Sequence, residues 1–481
     1  MKKVIEIIKK KWLRSVALTI LLIAIIVCAY LAVNLGIEKA NITDLDMTKE
    51  KVYSISKQTE DKLGDLSEDV TIYTYQMKEI VMDFLNRYTK LNDHIKIEVL
   101  ENLNAHTNWK TTYGVGDSSS FLVTTSGERE KLLADYDLVT YDYSTYKEVD
   151  ITEEAITNAI LDVTVKDKPK IYFLTGHNLY ADGYFQYFKI DLTDEANEVE
   201  TLDLLKVTKV PDDCKVLVIT ALKEDITDLE RDAIINYIKK GGEILLLSDP
   251  NLGKVALNNF QKVLDEYGVS ISDGMIFEGD PNQMVSGAPS FVICNIVAGS
   301  SIIKNINMEM NVCLINPAKL TFASSEELEK KNVILEEFAH VSEKAFYRTD
   351  LTSSSQTKIA SDENASNATV GAMLTKKNDD NTSSKLIVFA NTGFATNAQI
   401  QVSTQYYMYA IDFYNNKDIL LNSISYLTER EDTITIRKNV ETVNYTVSEQ
   451  QNRIILGIIF AVPVFVIILG IVIWLMRRRK K

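Results

Sequence analysis

Two stretches of this chain, 15–37 and 454–476, each run for 23 residues without a charge. A helix rises 1.5 Å per residue, so about 20 apolar residues cross the ~30 Å hydrocarbon core of a bilayer. The first run has the core VALTILLIAIIVCAYLAVNL at 16–35 and is smooth and aliphatic. The second, IILGIIFAVPVFVIILGIVIWLM, carries Gly457, Pro463 and Gly470. In a membrane these residues mark a kink or a close helix contact, because neighbouring groups re-satisfy the freed carbonyl. Both segments are therefore expected to span, since core helices of this length rarely lack every charge.

Orientation follows from the flanks. Residues 1–15 hold six Lys or Arg against Glu6, net +5, and 477–481 read RRRKK, again +5. Basic flanks stay in the cytoplasm. The expectation is a two-pass protein of the plasma membrane with both termini cytoplasmic and the bulk of the chain outside. The whole chain carries −15, so 36–453 carries −25 once the two +5 tails are set aside. Such an acidic surface argues against nucleic acid as a partner. A cleaved signal peptide is the rival reading of the N-terminus, but no A-x-A site follows the apolar run. Val27 before Cys28 is also not the small residue that lipoprotein processing needs.

The outer region reads as layered α/β. DVTIYTY (69–75) and HIKIEVL (94–100) alternate as strands do, around a helical pattern over 77–91. Ser120–Thr125 and Lys131–Leu133 suit a hairpin across SGER. Ser54 or Ser56 can cap an earlier helix, and Thr152-Glu153-Glu154 opens another. This β-α-β-β order is compatible with a thioredoxin-like layer, without the C-x-x-C of redox chemistry. The next block has three short apolar runs, KIYFLT (170–175), KVLVIT (215–220) and EILLLS (243–248), as a parallel sheet covered on both faces requires. Thr227 and Glu230 form a capping box for a helix over 226–240, which Gly241-Gly242 ends. A helix over 260–267 stops at Gly268. A late strand (385–390) and a helix near 411–426 complete the sheet.

The predicted fold class is α/β: an extracytoplasmic doubly wound domain, flavodoxin- or amidotransferase-like, plus a smaller thioredoxin-like α/β layer, flanked by two transmembrane helices. The expected division is a basic cytoplasmic tail (1–15), a first span (16–35) and an N-terminal extracytoplasmic α/β domain (36–165). The first part of the doubly wound domain (166–281) follows, then an insertion with strands and a polar linker (282–384). The chain closes with the completion of that domain (385–430), a juxtamembrane segment (431–453), the second span (454–476) and a basic tail (477–481). Within the insertion, Thr352–Ser355 and Ser361–Thr369 are polar enough to read as loop or disordered linker.

Catalytic patterns are missing where they would be needed. The only Gly-Lys, Gly253-Lys254, is followed by Val255, so the chain has no P-loop. Gly114-Val115-Gly116 lacks the third glycine of a dinucleotide turn. An amidotransferase places a Cys nucleophile on a strand-to-helix elbow, whereas Cys214, Cys294 and Cys313 have no such surroundings. The four histidines are scattered without metal-ligand spacing. The expectation is a non-catalytic protein with no cofactor and no metal. Three cysteines fall outside the membrane, and Cys294 and Cys313 are the pair that could close.

One constellation bears on binding. Ligands of doubly wound sheets lie at the carboxyl ends of the strands. Those ends carry Gly176-His177-Asn178, Thr220, Asp249-Pro250-Asn251 and Asn391-Thr392. His177, Asn178, Asp249, Asn251 and Asn391 are the candidate ligand residues, suited to a sugar or a peptide. Asp, Asn and Gly at strand ends are also ordinary turn and cap residues.

Several stretches together resemble the GldG-like family, auxiliary components of ABC-type transport systems first associated with gliding motility. They include KVYSISKQTEDKLGDLSEDVTIYTY (51–75), KPKIYFLTGHN (168–178), PDDCKVLVITALKEDITDLERDAIINYIKKGGEILLLSDP (211–250), LIVFANTGFATN (386–397) and DILLNSISYLTERED (418–432). The resemblance implies an extracytoplasmic module shared with intraflagellar-transport proteins, and a permease and an ATPase on separate chains. It supplies no catalytic residues, and at the late strand end this chain has Asn391-Thr392-Gly393 in place of the usual acidic or Ser-rich residues. The expected function is a membrane-anchored, non-ATPase auxiliary subunit, with the lipid bilayer as a second partner and a homodimer left open. The alternative is an envelope glycan- or peptide-binding module independent of a transporter. A membrane-tethered hydrolase would need a nucleophile and base that the sequence does not bring together.

Overall fold

The apolar runs of the central block become the strands of one sheet, and the alternating runs before them form a second, smaller one. The computed structural model describes residues 54–142, 147–251, 255–303, 311–403 and 406–430. Both predicted spans, the basic tails and the juxtamembrane segment lie outside these residues. Among the described residues no helix is long and apolar enough to cross a membrane.

The chain enters at α1 (Lys57–Leu63), capped by the Ser56 hydroxyl, which accepts from the Thr59 amide at 3.3 Å. Then come β1 (Val70–Tyr75), α2 (Glu79–Leu91), β2 (Ile95–Val99), α3 (Thr107–Thr112), β3 (Phe121–Ser126) and β4 (Arg129–Ala134). A short hairpin, β5 (Val139–Asp142) and β6 (Lys147–Asp150), leads into α4 (Thr152–Thr164). The sheet order is β2-β1-β3-β4, with β1 parallel to β2 and β3 antiparallel to both its neighbours. Period-two alternation splits its side chains: Val70, Ile72 and Leu122 pack under α2 and α4, while Tyr75, Phe121 and Val123 join Trp109 on the other face.

Glu153, expected to complement the α4 dipole, has a larger task. It is buried, and it accepts from the Ser56 amide at 2.7 Å and the Thr59 hydroxyl at 2.6 Å, tying α1 to α4. The Thr152 amide is instead capped by Asp150 at 2.8 Å.

The larger sheet begins with β7 (Lys170–Thr175), α5 (Gln186–Asp194), β8 (Glu198–Asp203), β9 (Cys214–Thr220), α6 (Asp228–Lys239), β10 (Glu243–Leu247) and α7 (Asn258–Asp265). The capping box forms as expected: Glu230 accepts from the Thr227 amide at 2.8 Å and Thr227 from the Glu230 amide at 3.3 Å. Gly241 ends α6 with φ +85°, and a Cβ on Gly242 would lie 2.5 Å from the Tyr237 ring, so both glycines are required. Small ladders follow, β11 (Val269–Ile271), β12 (Met275–Phe277) and β13 (Met284–Val285), then the long β14 (Ala288–Ile296) and β15 (Asn311–Ile315). After β16 (Leu320–Phe322) and α8 (Ser325–Lys330) come β17 (Val333–His340), β18 (Phe346–Arg348), β19 (Glu363–Asn364), β20 (Thr369–Lys377) and β21 (Ser383–Phe389). The hairpin of β22 (Gln399–Ser403) and β23 (Tyr406–Tyr409) precedes α9 (Asn416–Leu427).

The ten-stranded sheet runs β13-β14-β17-β20-β21-β10-β9-β7-β8, with β15 on β14. Strands β8, β7, β9, β10 and β21 are parallel, and from β21 outward the pairing turns antiparallel. In chain order the parallel strands read 2-1-3-4-5, the order of doubly wound sheets whose direction of growth reverses between the first and third strands, here β7 and β9. The helices pack in two pairs, α5 with α9 and α6 with α7. All five residues of β10 are buried. The stretch read as an insertion thus extends the same sheet through β14, β17 and β20.

Within that stretch the polar loop and the cysteine pair take definite forms. The polar segment after β18 is a loop, but it is pinned. Arg348 forks onto Asp362 at 2.8 and 2.7 Å, donates to the Ser355 and Thr357 carbonyls, and lies 4.8 and 5.3 Å from the centroids of the stacked Phe277 and Phe346 rings. Both side chains of the ion pair are only 1% exposed, and the guanidinium holds the Asp362 carboxyl below its usual range. Cys294 and Cys313 are free thiols. Cys313 stands opposite Ile293 rather than Cys294 on adjacent strands. The one-residue offset sends the two sulfurs to opposite faces and into different apolar clusters.

Candidate functional site

The candidate residues all sit on the carboxyl edge of the parallel strands, where Asp249 and Asn391 share one network and the other three are held separately. Asn391, just after β21, is 1% exposed and saturated. Its Oδ1 accepts from the Ile315 and Phe394 amides, both at 3.0 Å, and its Nδ2 donates to the Ile315 carbonyl at 2.6 Å and to Asp249 at 3.2 Å. Asp249, after β10, accepts in addition from the Thr392 amide at 2.6 Å and from the Tyr180 hydroxyl at 2.7 Å. Burial raises its carboxyl above the ordinary range, against the opposing pull of the Thr392 amide and the other donors. Burial likewise raises the Tyr180 phenol, with the Asp249 charge adding to it. The Thr392 hydroxyl donates to the Leu247 carbonyl at 2.7 Å and can accept from the Ala221 amide at 3.3 Å. This network closes the β10 and β21 tips on themselves.

Asn251 stands apart, its Nδ2 donating to the Val255 carbonyl at 2.6 Å within its own loop. His177 turns toward α6: its Nε2 lies 3.0 and 3.1 Å from the two carboxylate oxygens of Glu230, the capping-box residue. Its Nδ1 is buried and makes no hydrogen bond, with Glu224 at 3.8 Å. His177 therefore fastens the β7 turn to the start of α6.

Asn178 is the candidate that faces open space. A cleft of about 210 Å³ lies at the carboxyl ends of β7 and β9, where the strand order reverses. Its walls include Phe173, Phe185, Tyr180, Asn178 and Thr220. Asn178 Nδ2 donates to the Leu174 carbonyl at 2.9 Å and to the Thr220 hydroxyl at 2.7 Å, joining the two strand ends. Gly176, with φ +114°, makes the turn out of β7 that brings Asn178 back over them. The sequence placed Asn178 and Thr220 at strand ends. Nothing in a single sequence marks Tyr180 and Phe185 as the aromatic residues of the β7–α5 connection that line the cleft.

Among the described residues, no group of three or more His, Cys, Asp or Glu side chains is placed to hold a metal ion. Cys214 opens β9, where burial pushes its thiol up to about 12; its sulfur lies 3.5 Å from the Tyr237 hydroxyl, away from any strand-to-helix elbow.

No curated protein matches this sequence. Among solved structures, the chain is similar to the N-terminal domain of mmIFT52, with 13% identity and a TM-score of 0.39, covering 54% of this chain and 97% of that one. It is also similar to a ThuA-like protein from Bacteroides uniformis ATCC 8492, at 14% identity and TM-score 0.31, covering 54% of this chain and 91% of that one. For a glutamine amidotransferase from Thermotoga maritima the figures are 10% and 0.22, covering 35% of this chain and 66% of that one. All three TM-scores lie below 0.5, too low for these likenesses to bear on function. The sequence itself matches a family described as an ABC-type uncharacterized transport system over residues 168–423, from just before β7 into α9. That match covers more than half of the 481 residues, and the chain belongs to this family of auxiliary components of ABC-type transport systems.

Proposed function

We propose that this chain is the membrane-anchored, non-ATPase auxiliary subunit of an ABC-type transport system, presenting its two main sheets on the outer side of the plasma membrane. The family match over 168–423 carries the reading. Three features of the sequence support it. The two charge-free runs suit anchors, and two spans are too few for a permease pore of their own. The +5 flanks at both ends favour cytoplasmic termini. The chain has no P-loop, so the energy of transport must enter through an ATPase on another chain. The partners on this reading are a permease, an ATPase and the bilayer, with self-association as a further possibility. Of the five candidate residues at the strand tips, Asn178 lines a cleft that a ligand could enter.

The test uses the purified full-length chain without partners. It should show no saturable, Mg-dependent ATP binding, and tags on either terminus should be shielded from reagents added outside intact cells. Nucleotide binding by the pure chain, or a terminal tag reached from outside, would overturn the reading.

A further inference from the structure

We infer that the cleft between the carboxyl ends of β7 and β9 binds a small uncharged ligand that presents a carboxamide beside an apolar group. This goes beyond the transport role and stands independently of it.

The argument begins with the hydrogen-bond balance of two side chains. Asn178 uses its amide nitrogen twice, on Leu174 at 2.9 Å and on Thr220 at 2.7 Å. Both bonds fix the side chain in one orientation. Its oxygen makes no hydrogen bond among the described residues, and the residue lines the cleft. Thr220 accepts from Asn178 through its hydroxyl oxygen, and its own proton has no acceptor among the described residues. Thr220 is 1% exposed and forms part of the cleft floor. The site therefore holds one free acceptor and one free donor on neighbouring, already ordered side chains. A carboxamide carries the matching pair, a donor N–H and an acceptor C=O. A buried hydroxyl proton without a partner is costly, so a ligand that satisfies it gains selectivity over one that does not.

The rest of the lining sets the ligand's charge and shape. Phe173, Leu174 and Phe185 are apolar and buried. No Lys, Arg or His lines the cleft and the nearby Lys189 ammonium is already paired with Asp182, which leaves an anion without a free counter-charge. The single carboxylate in the lining, Asp182, already binds Lys189, whose ammonium also lies 4.8 Å over the Phe173 ring. A cationic ligand would have to displace that internal cation. The 210 Å³ volume corresponds to about seven waters at ~30 Å³ each, room for a carboxamide and the first apolar atoms beside it. Peptide amides and N-acetylated sugars share this chemistry.

Saturation-transfer NMR on the full-length chain in detergent tests the inference with three probes: N-acetyl-alanine amide, N-acetylglucosamine and glucose. Both amides should bind in the millimolar range and glucose at least fivefold more weakly. If only one amide binds, that outcome names the source, peptide or acetylated sugar. Two variants locate the site. Thr220→Val removes the donor, together with an acceptor that holds Asn178, at nearly constant shape, and Ala181→Trp fills the cleft from an exposed position. Each should weaken amide binding at least fivefold. Undiminished binding in Ala181→Trp, glucose binding as well as the amides, or no amide binding at about 10 mM would each overturn the inference.

Discussion

At the β10 and β21 end of the carboxyl edge, Asp249, Asn391 and Thr392 are bonded to one another, to Tyr180 and to the backbone of β15 and β10. At the β7 and β9 end, Asn178 and Thr220 are bonded to each other but keep an acceptor and a proton unused beside an open cleft. The residue types are the same, short polar side chains just past apolar strands. The difference lies in what the next strand supplies. At the tip of β21 the last residue of β15, Ile315, takes both ends of the Asn391 amide. β7 and β9 flank the point where the strand order reverses, so their connections run away from each other and leave a gap. Polar residues at strand ends thus become fasteners or binding groups according to topology.

The comparison predicts unequal costs of mutation. Asn391→Ala strands the Ile315 amide and carbonyl and the Phe394 amide in a buried site, and should cost about 3 kcal/mol in chemical denaturation. A loss below about 1 kcal/mol would mean that the closed tip is not a fastener. Tyr180→Phe removes the bond that links the cleft wall to Asp249, an expected loss of about 1 kcal/mol. Asn178→Ala removes two bonds made by a half-buried side chain, so its stability cost should stay near ~1 kcal/mol while ligand binding is lost.

The smallest effect is one of pH. Burial raises the Asp249 carboxyl above its ordinary 3.8. A raised folded value means the folded state holds the proton more tightly, so this stabilisation is complete below 3.8 and fades as pH rises through the folded value. The Asp362 carboxyl, lowered by Arg348, has the opposite sign: its stabilisation is present above the ordinary value and is lost as pH falls through the folded one. NMR titration of the two carboxyls should place Asp249 above and Asp362 below their common reference; the reverse order would contradict the burial argument.

Local signals carried much of this fold into the sequence. The Thr227 and Glu230 capping box, the Gly241-Gly242 stop and the uninterrupted apolar run of β10 were legible because each depends on residues within a turn or two. The pairing of β10 with β21 joins residues 142 apart, Glu243 to Lys385, and no local pattern encodes it. The same holds for Glu153, whose position near a helix start suggested a dipole role. Its burial under Ser56 and Thr59 comes from a segment more than 90 residues earlier. The polar composition after β18 suggested a loose linker, because a single Arg348–Asp362 fork outweighs that composition only through its three-dimensional setting. At the site, the sequence named the strand tips. Which tip stays open followed only from the strand order.

The central claim is that this chain works as an accessory to a transporter built from other chains. Its most direct test is a mild-detergent purification of the tagged full-length chain from its own cells, with identification of what comes with it. The account predicts a multi-span permease and a P-loop ATPase recovered together in fixed ratio with this chain. Recovery of the chain without either, under conditions that keep other ABC transporters whole, would contradict it.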